Sequence, residues 1–291
     1  SQPMTVAQVA PAAPAEPPPG ATYVGSQVCQ ACHQQQFAAF GETLMGKIFL
    51  KNARSPLERQ GCEACHGPGS AHVAAGGGKG VGTIAFRKDS PQPVAERNAV
   101  CLKCHERGLR LYWKGGPHEA RGLACTNCHR VMVNVSEKNQ FVKETEMETC
   151  FQCHLQRRAQ LQRSSHMPLR ENKMTCSDCH NPHGTATPKQ LKENSINENC
   201  YKCHAEKRGP FLWDHAPVRE NCLTCHEPHG SNHDKLLKIA RPRLCQRCHV
   251  ESGHPGTPAL PTSRFVFNRS CQNCHAQIHG SNHPSGVRFQ R

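Results

Sequence analysis

Apolar residues in this chain come in short, interrupted runs between polar and charged ones, and none approaches the roughly 18–20 residues that a membrane-crossing helix needs. Neither a long helical stripe nor a series of alternating strands is sustained, so the pattern predicts short helices joined by loops, with little or no sheet. A Pro/Ala-rich stretch at 1–22 reads as a tail, a tether or a docking arm. It precedes a body at 23–291. Within that body the Gly-rich GGGKGVG, between Cys62 and Cys101, reads as an exposed loop.

Composition sharpens the difficulty. The chain has 291 residues, is 36% hydrophobic and only 5% aromatic, and has a mean hydropathy of −0.67. That is poor material for an apolar core of this size, so bulk must come from elsewhere.

The cysteines supply the answer. All 20 fall in Cys-x-x-Cys-His motifs, ten in number. They are Cys29, Cys32 and His33; Cys62, Cys65 and His66; Cys101, Cys104 and His105; Cys125, Cys128 and His129; Cys150, Cys153 and His154. The second five are Cys176, Cys179 and His180; Cys200, Cys203 and His204; Cys222, Cys225 and His226; Cys245, Cys248 and His249; Cys271, Cys274 and His275. Zinc ribbons also use paired CxxC, and an even cysteine count suits a disulfide framework, but neither explains the histidine. With 20 histidines in 291 residues, ten hits in ten tries is not chance. The spacing is that of c-type haem attachment. Two thiols one helical turn apart reach two vinyl groups on one porphyrin edge, and the adjacent histidine takes an axial position on iron. Ten covalent haems (iron) would provide the missing core, and the chain without them is expected not to fold.

The remaining histidines also number ten: His72, His118, His166, His183, His215, His229, His233, His254, His279 and His283. They recur in similar settings and are read as distal ligands. His118, His166 and His215 precede a motif, whereas His183, His229 and His279 follow one. His229 and His233, like His279 and His283, share the frame HGSNH, whose spacing would serve two neighbouring haems if helical. Met45 lies between the first two motifs, where no histidine does, and Met132 stands where later units carry His183 and His229. A thioether ligand would raise a haem's potential; the plainer reading is an apolar filler beside a porphyrin.

The motifs repeat in pairs, with di-haem units starting near 29, 101, 150, 200 and 245. Five such units suggest an elongated array. The formal charge of +14 invites a nucleic-acid reading. Haem propionates would bring about −20 and ferric irons about +10, leaving roughly +4 oxidised and about −6 reduced, so nucleic-acid binding is excluded. A compact chain of this length has a radius of gyration of about 19 Å, which puts ten haem centres roughly 15–20 Å apart. Irons closed on both faces offer no place for substrate, which points to electron transfer and away from enzymatic catalysis, with no catalytic residues assigned.

The ten-motif layout, the opening YVGSQVCQACH, the segment CEACHGPGSAH and the ending CQNCHAQIHGSNHPSG resemble decahaem cytochromes of the MtrA/DmsE type over roughly 22–289. The resemblance implies a periplasmic protein associated with the outer membrane, inserted in a β-barrel porin. It would receive electrons from, or pass them to, a periplasmic or inner-membrane cytochrome and an extracellular multihaem cytochrome, mineral or iron. A barrel sheath suits a polar, haem-rich chain that cannot itself face lipid. The N-terminus at Ser1 looks like one left after export. A soluble periplasmic shuttle to a terminal reductase is the alternative; a multihaem reductase is disfavoured, because no motif ends in lysine.

Overall fold

The computed structural model describes residues 19–250, 270–284 and 286–290. The tail up to residue 18 and His254 lie outside the described residues. Among the described residues the longest helix is Val94–His105, 12 residues, followed by Gln34–Glu42 with nine. Val94–His105 starts just after Pro93, which cannot continue a helix backwards through a bonded N–H, and ends on a motif histidine. Most other helices span one or two turns. Among the described residues no strand forms; pairing is limited to isolated bridges such as Ser165 with Ser231 and Trp213 with Ser281. No described helix is long and apolar enough to cross a membrane.

The described residues fall into two compact units. One holds those up to Cys150 together with Pro182–Gly184, and the other holds Phe151–Asn181 with those from Thr185 onward. The buried apolar set is small: Phe40, Ala64, Val100, Trp113 and Ala124 in the first unit, Leu161 and Leu237 in the second. Such a core is far short of what area-driven folding of a chain this long requires. Helix/loop architecture without sheet is the form the sequence predicts.

Polar staples hold the motifs in pairs. Three residues before the first cysteine of a pair, Ser26, Asn98 and Asn197 reach forward to the second motif. Ser26 Oγ accepts the Cys62 N–H at 3.1 Å, Asn98 Oδ1 that of Cys125 at 2.9 Å, and Asn197 Oδ1 that of Cys222 at 2.8 Å. Both asparagines also donate from Nδ2 to carbonyls just before the second motif, those of Leu123 and Val218. Glu63, 3% exposed, gathers the N–H groups of Val24, Gly25 and Gly69 on its carboxylate at 2.8–2.9 Å.

Candidate haem sites

Each motif is built on a turn of helix. The motif histidine donates its backbone N–H to the carbonyl of the first cysteine: His33 to Cys29 at 2.9 Å, His180 to Cys176 at 3.1 Å, His275 to Cys271 at 2.9 Å. That closure puts two thiols on one side of the turn and the imidazole at its end. Within pairs the leading thiols meet. Cys101 bonds Cys125, and Cys200 bonds Cys222; the contact raises the first of each pair and lowers the second, Cys222 to about 7. Between pairs the trailing thiol of one lies by the first motif of the next. Cys65, pushed up to about 11 by burial, feels Cys101 and Cys104; Cys179 feels Cys203, and Cys225 feels Cys248.

Several of the imidazoles are set in one tautomer by a backbone carbonyl. Nδ1 of His66 lies 2.7 Å from the Ile84 carbonyl, His129 2.8 Å from Asn139, His180 2.9 Å from Lys189, and His226 2.8 Å from Lys235. His72, His118 and His215 use the carbonyls of Val81, Pro182 and Ile278 in the same way. A carbonyl only accepts, so Nδ1 carries the proton and Nε2 keeps its lone pair for metal.

Among the described residues, histidine rings face each other in pairs: His33 with His72, His129 with His183, His180 with His229, His215 with His249, and His226 with His279. Their centroids are 6.1–6.2 Å apart and their planes lie within 25°. Rings in direct face contact would sit about 3.5–4 Å apart. Two metal–nitrogen bonds of about 2 Å, one on each side of an iron, place ring centroids roughly 6 Å apart. Burial holds His183 and His279 at about 4 and also lowers His215 and His229, which keeps them in the neutral form that a metal ligand requires. Thiol pair, single-tautomer motif imidazole and facing imidazole together fit a covalently bound, six-coordinate haem.

Not every candidate is brought to such a pair. His166 turns Nε2 to Glu171 Oε1 at 3.0 Å, and the carboxylate raises its pKa. HGSNH is not helical: Gly230 has φ 147°, and Ser231 and Ser281 form bridges to Ser165 and Trp213. His233 and His283 donate their backbone N–H to Ser231 and Ser281 Oγ. Among the described residues, no second histidine ring faces His66 or His105. Met45 sits in the short helix Leu44–Gly46, and Met132 in the turn after His129.

Sequence reasoning missed the staples Ser26, Asn98, Asn197 and Glu63. The signal available was a small polar residue three before the leading cysteine, but Met147 and Pro242 interrupt it in the third and fifth pairs.

Two family descriptions match the chain. A doubled CXXCH motif covers 166–209 and 215–254, and a cytochrome c-type protein NrfB-like family covers 62–144. The chain is 44% identical over 276 residues to the multiheme cytochrome MtrA of Shewanella baltica, covering 92% of this chain and 81% of that protein. It is 36% identical over 90 residues to the C-type polyheme cytochrome OmcB of Geobacter sulfurreducens, covering 31% of this chain and 10% of that one. It is 25% identical over 136 residues to the cytochrome c-type protein NrfB of Escherichia coli, covering 45% and 65% respectively.

Proposed function

Because this chain belongs to the MtrA family of multihaem c-type cytochromes, electron-transfer proteins rather than enzymes, we propose that it conducts electrons across the bacterial outer membrane through ten covalent haems, sheathed by a β-barrel porin. The observation that carries this reading is the facing of histidine pairs such as His129 with His183 and His226 with His279, at 6.1–6.2 Å. Iron closed on both faces by protein changes oxidation state without exchanging ligands, and it offers substrate no site.

The cysteine contacts support a path. Each haem would be bonded at the edge its two thiols define, so neighbouring thiols bring porphyrin edges near one another. In the first unit Cys29 bonds Cys62 and Cys101 bonds Cys125, with Cys65 near enough to Cys101 to feel its charge. In the second Cys200 bonds Cys222 and Cys245 bonds Cys271, while Cys179 feels Cys203 and Cys225 feels Cys248. Electrons then pass from haem to haem in motif order within each unit. A bilayer with headgroups is about 40–45 Å thick, a distance that a file of haems covers and a single haem does not. The porin isolates the polar chain from lipid. A periplasmic or inner-membrane cytochrome lies at one end, and an extracellular multihaem cytochrome, mineral or iron at the other.

The test is co-purification of the full holoprotein with its porin, followed by reconstitution into sealed liposomes loaded with an electron acceptor. Acceptor reduction by dithionite added outside supports the conduit; no reduction beyond porin-only liposomes overturns it. The NrfB-like match over 62–144 favours a second reading, a soluble periplasmic shuttle. In that case the protein purifies without a porin and reduces its partner in free solution.

A further inference from the structure

The turn after the second motif of a pair is built the same way three times. His129, His180 and His226 bridge to Phe141, Leu191 and Leu237. The residue after each donates its N–H to the carbonyl of Gln140, Gln190 or Leu236. Each turn also carries two successive non-glycine residues at positive φ, beginning at Asn139, Lys189 and Lys235. In this common frame the position three past the motif histidine is Met132 in the second pair, His183 in the third and His229 in the fourth.

The turns of the third and fourth pairs, and that of the fifth, whose histidine comes one residue later, dock on the segment between the two motifs of the preceding pair. Gly184 lies on the Tyr112 carbonyl, Ser231 bridges Ser165, and Ser281 bridges Trp213. The second pair's turn docks likewise on the first pair, with Asn134 Nδ2 donating to the Glu42 carbonyl at 3.1 Å. Leu50 packs over both Gly41 and Gly61, which ties that docking point to the start of the second motif. Val133 stands where later turns have glycine, and here the docking bond comes from a side chain.

In the three later cases the docked turn delivers the ring that faces the second-motif histidine of the preceding pair: His183 to His129, His229 to His180, His279 to His226. The same register carries the Met132 thioether to the haem held by His66. We infer that Met132 is the sixth ligand of that haem, making it a His/Met site beside the facing histidine pairs of the same chain. The motif side is prepared, since His66 gives Nδ1 to Ile84 and keeps Nε2 for iron. No second histidine ring faces it among the described residues. A thioether favours ferrous iron and raises the potential. The second haem is therefore an electron reservoir early in the motif order.

The inference rests on haem attachment at Cys62 and Cys65, which peptide mass spectrometry of the holoprotein establishes separately. The test is proton–carbon NMR of the reduced holoprotein labelled with methyl-13C methionine. A ligated methionine methyl lies in the porphyrin ring current and moves far upfield of free ones. One such signal is expected, lost in Met132→Leu and kept in Met45→Leu. Met132→His is expected to remain low-spin while one haem titrates at lower potential than in the parent. No upfield methyl in the parent protein overturns the inference, as does loss of the signal with Met45→Leu but not with Met132→Leu. The parent spectrum decides even if a variant fails to fold.

Discussion

Asn197 stands just before the first motif of a pair and Cys222 opens the second, and the Asn197 side chain joins them: its Oδ1 accepts the Cys222 N–H at 2.8 Å, and its Nδ2 donates to the carbonyls of Val218 and Arg219 at 2.9 and 3.0 Å. The asparagine is 7% exposed, so water cannot replace these bonds. Asn197→Leu leaves a buried N–H and two carbonyls without a partner, at a cost of about 1–3 kcal/mol. The expected result is a lower denaturation midpoint and a smaller yield of holoprotein, read by Soret circular dichroism on heating. An unchanged midpoint would show that the staple does not hold the pair.

Glu63 does similar service at the start of the body. Three backbone N–H groups converge on one carboxylate, so Glu63→Gln replaces an acceptor oxygen with an amide that itself donates. A loss of about 1.5–3 kcal/mol is expected. The segment around Val24 and Gly25 should become sensitive to limited proteolysis before the rest of the chain does. Equal protease resistance in the two proteins contradicts this account.

The facing of His226 and His279 predicts a specific spectroscopic lesion. His279→Ala removes one axial imidazole and leaves the others in place. One haem equivalent should become high-spin in the ferric EPR spectrum and bind carbon monoxide when reduced. If every haem stays low-spin and none binds carbon monoxide, the pairing is wrong.

Burial lowers His183 and His279 from the ordinary value of 6.5 to about 4. In the unfolded chain these rings take up protons near pH 6.5, and in the folded chain only near pH 4. The unfolded state thus binds more protons between those values, and stability rises with pH across that window. Their contribution is complete above about pH 6.5 and is lost as pH falls toward 4. Denaturation midpoints measured from pH 7.5 to 4 should fall through that window, and more weakly in His183→Met, whose ligand does not titrate there. A midpoint that stays flat down to pH 4 would refute the assignment.

The turns that carry the motifs were legible in the sequence because everything a CxxCH motif needs lies within five residues. One helical turn fixes thiol spacing and histidine placement, and the ten motifs from Cys29 to His275 repeat that local chemistry whatever surrounds them. Low hydrophobicity with no sustained alternation likewise determined short helices without sheet, since neither period was present to build anything longer. Tertiary structure alone decided which histidine faces which. His129 meets His183, not a neighbour in its own pair, because the turn after one pair docks across the loop of the pair before it. That docking depends on backbone approach at Gly184 and Gly230, where a Cβ would collide with the carbonyls of Tyr112 and Gln160. Within a pair, buried polar staples such as Asn98 and Asn197 join the two motifs. Contacts of this kind join residues far apart along the chain, and a spacing read within one motif carries no information about them.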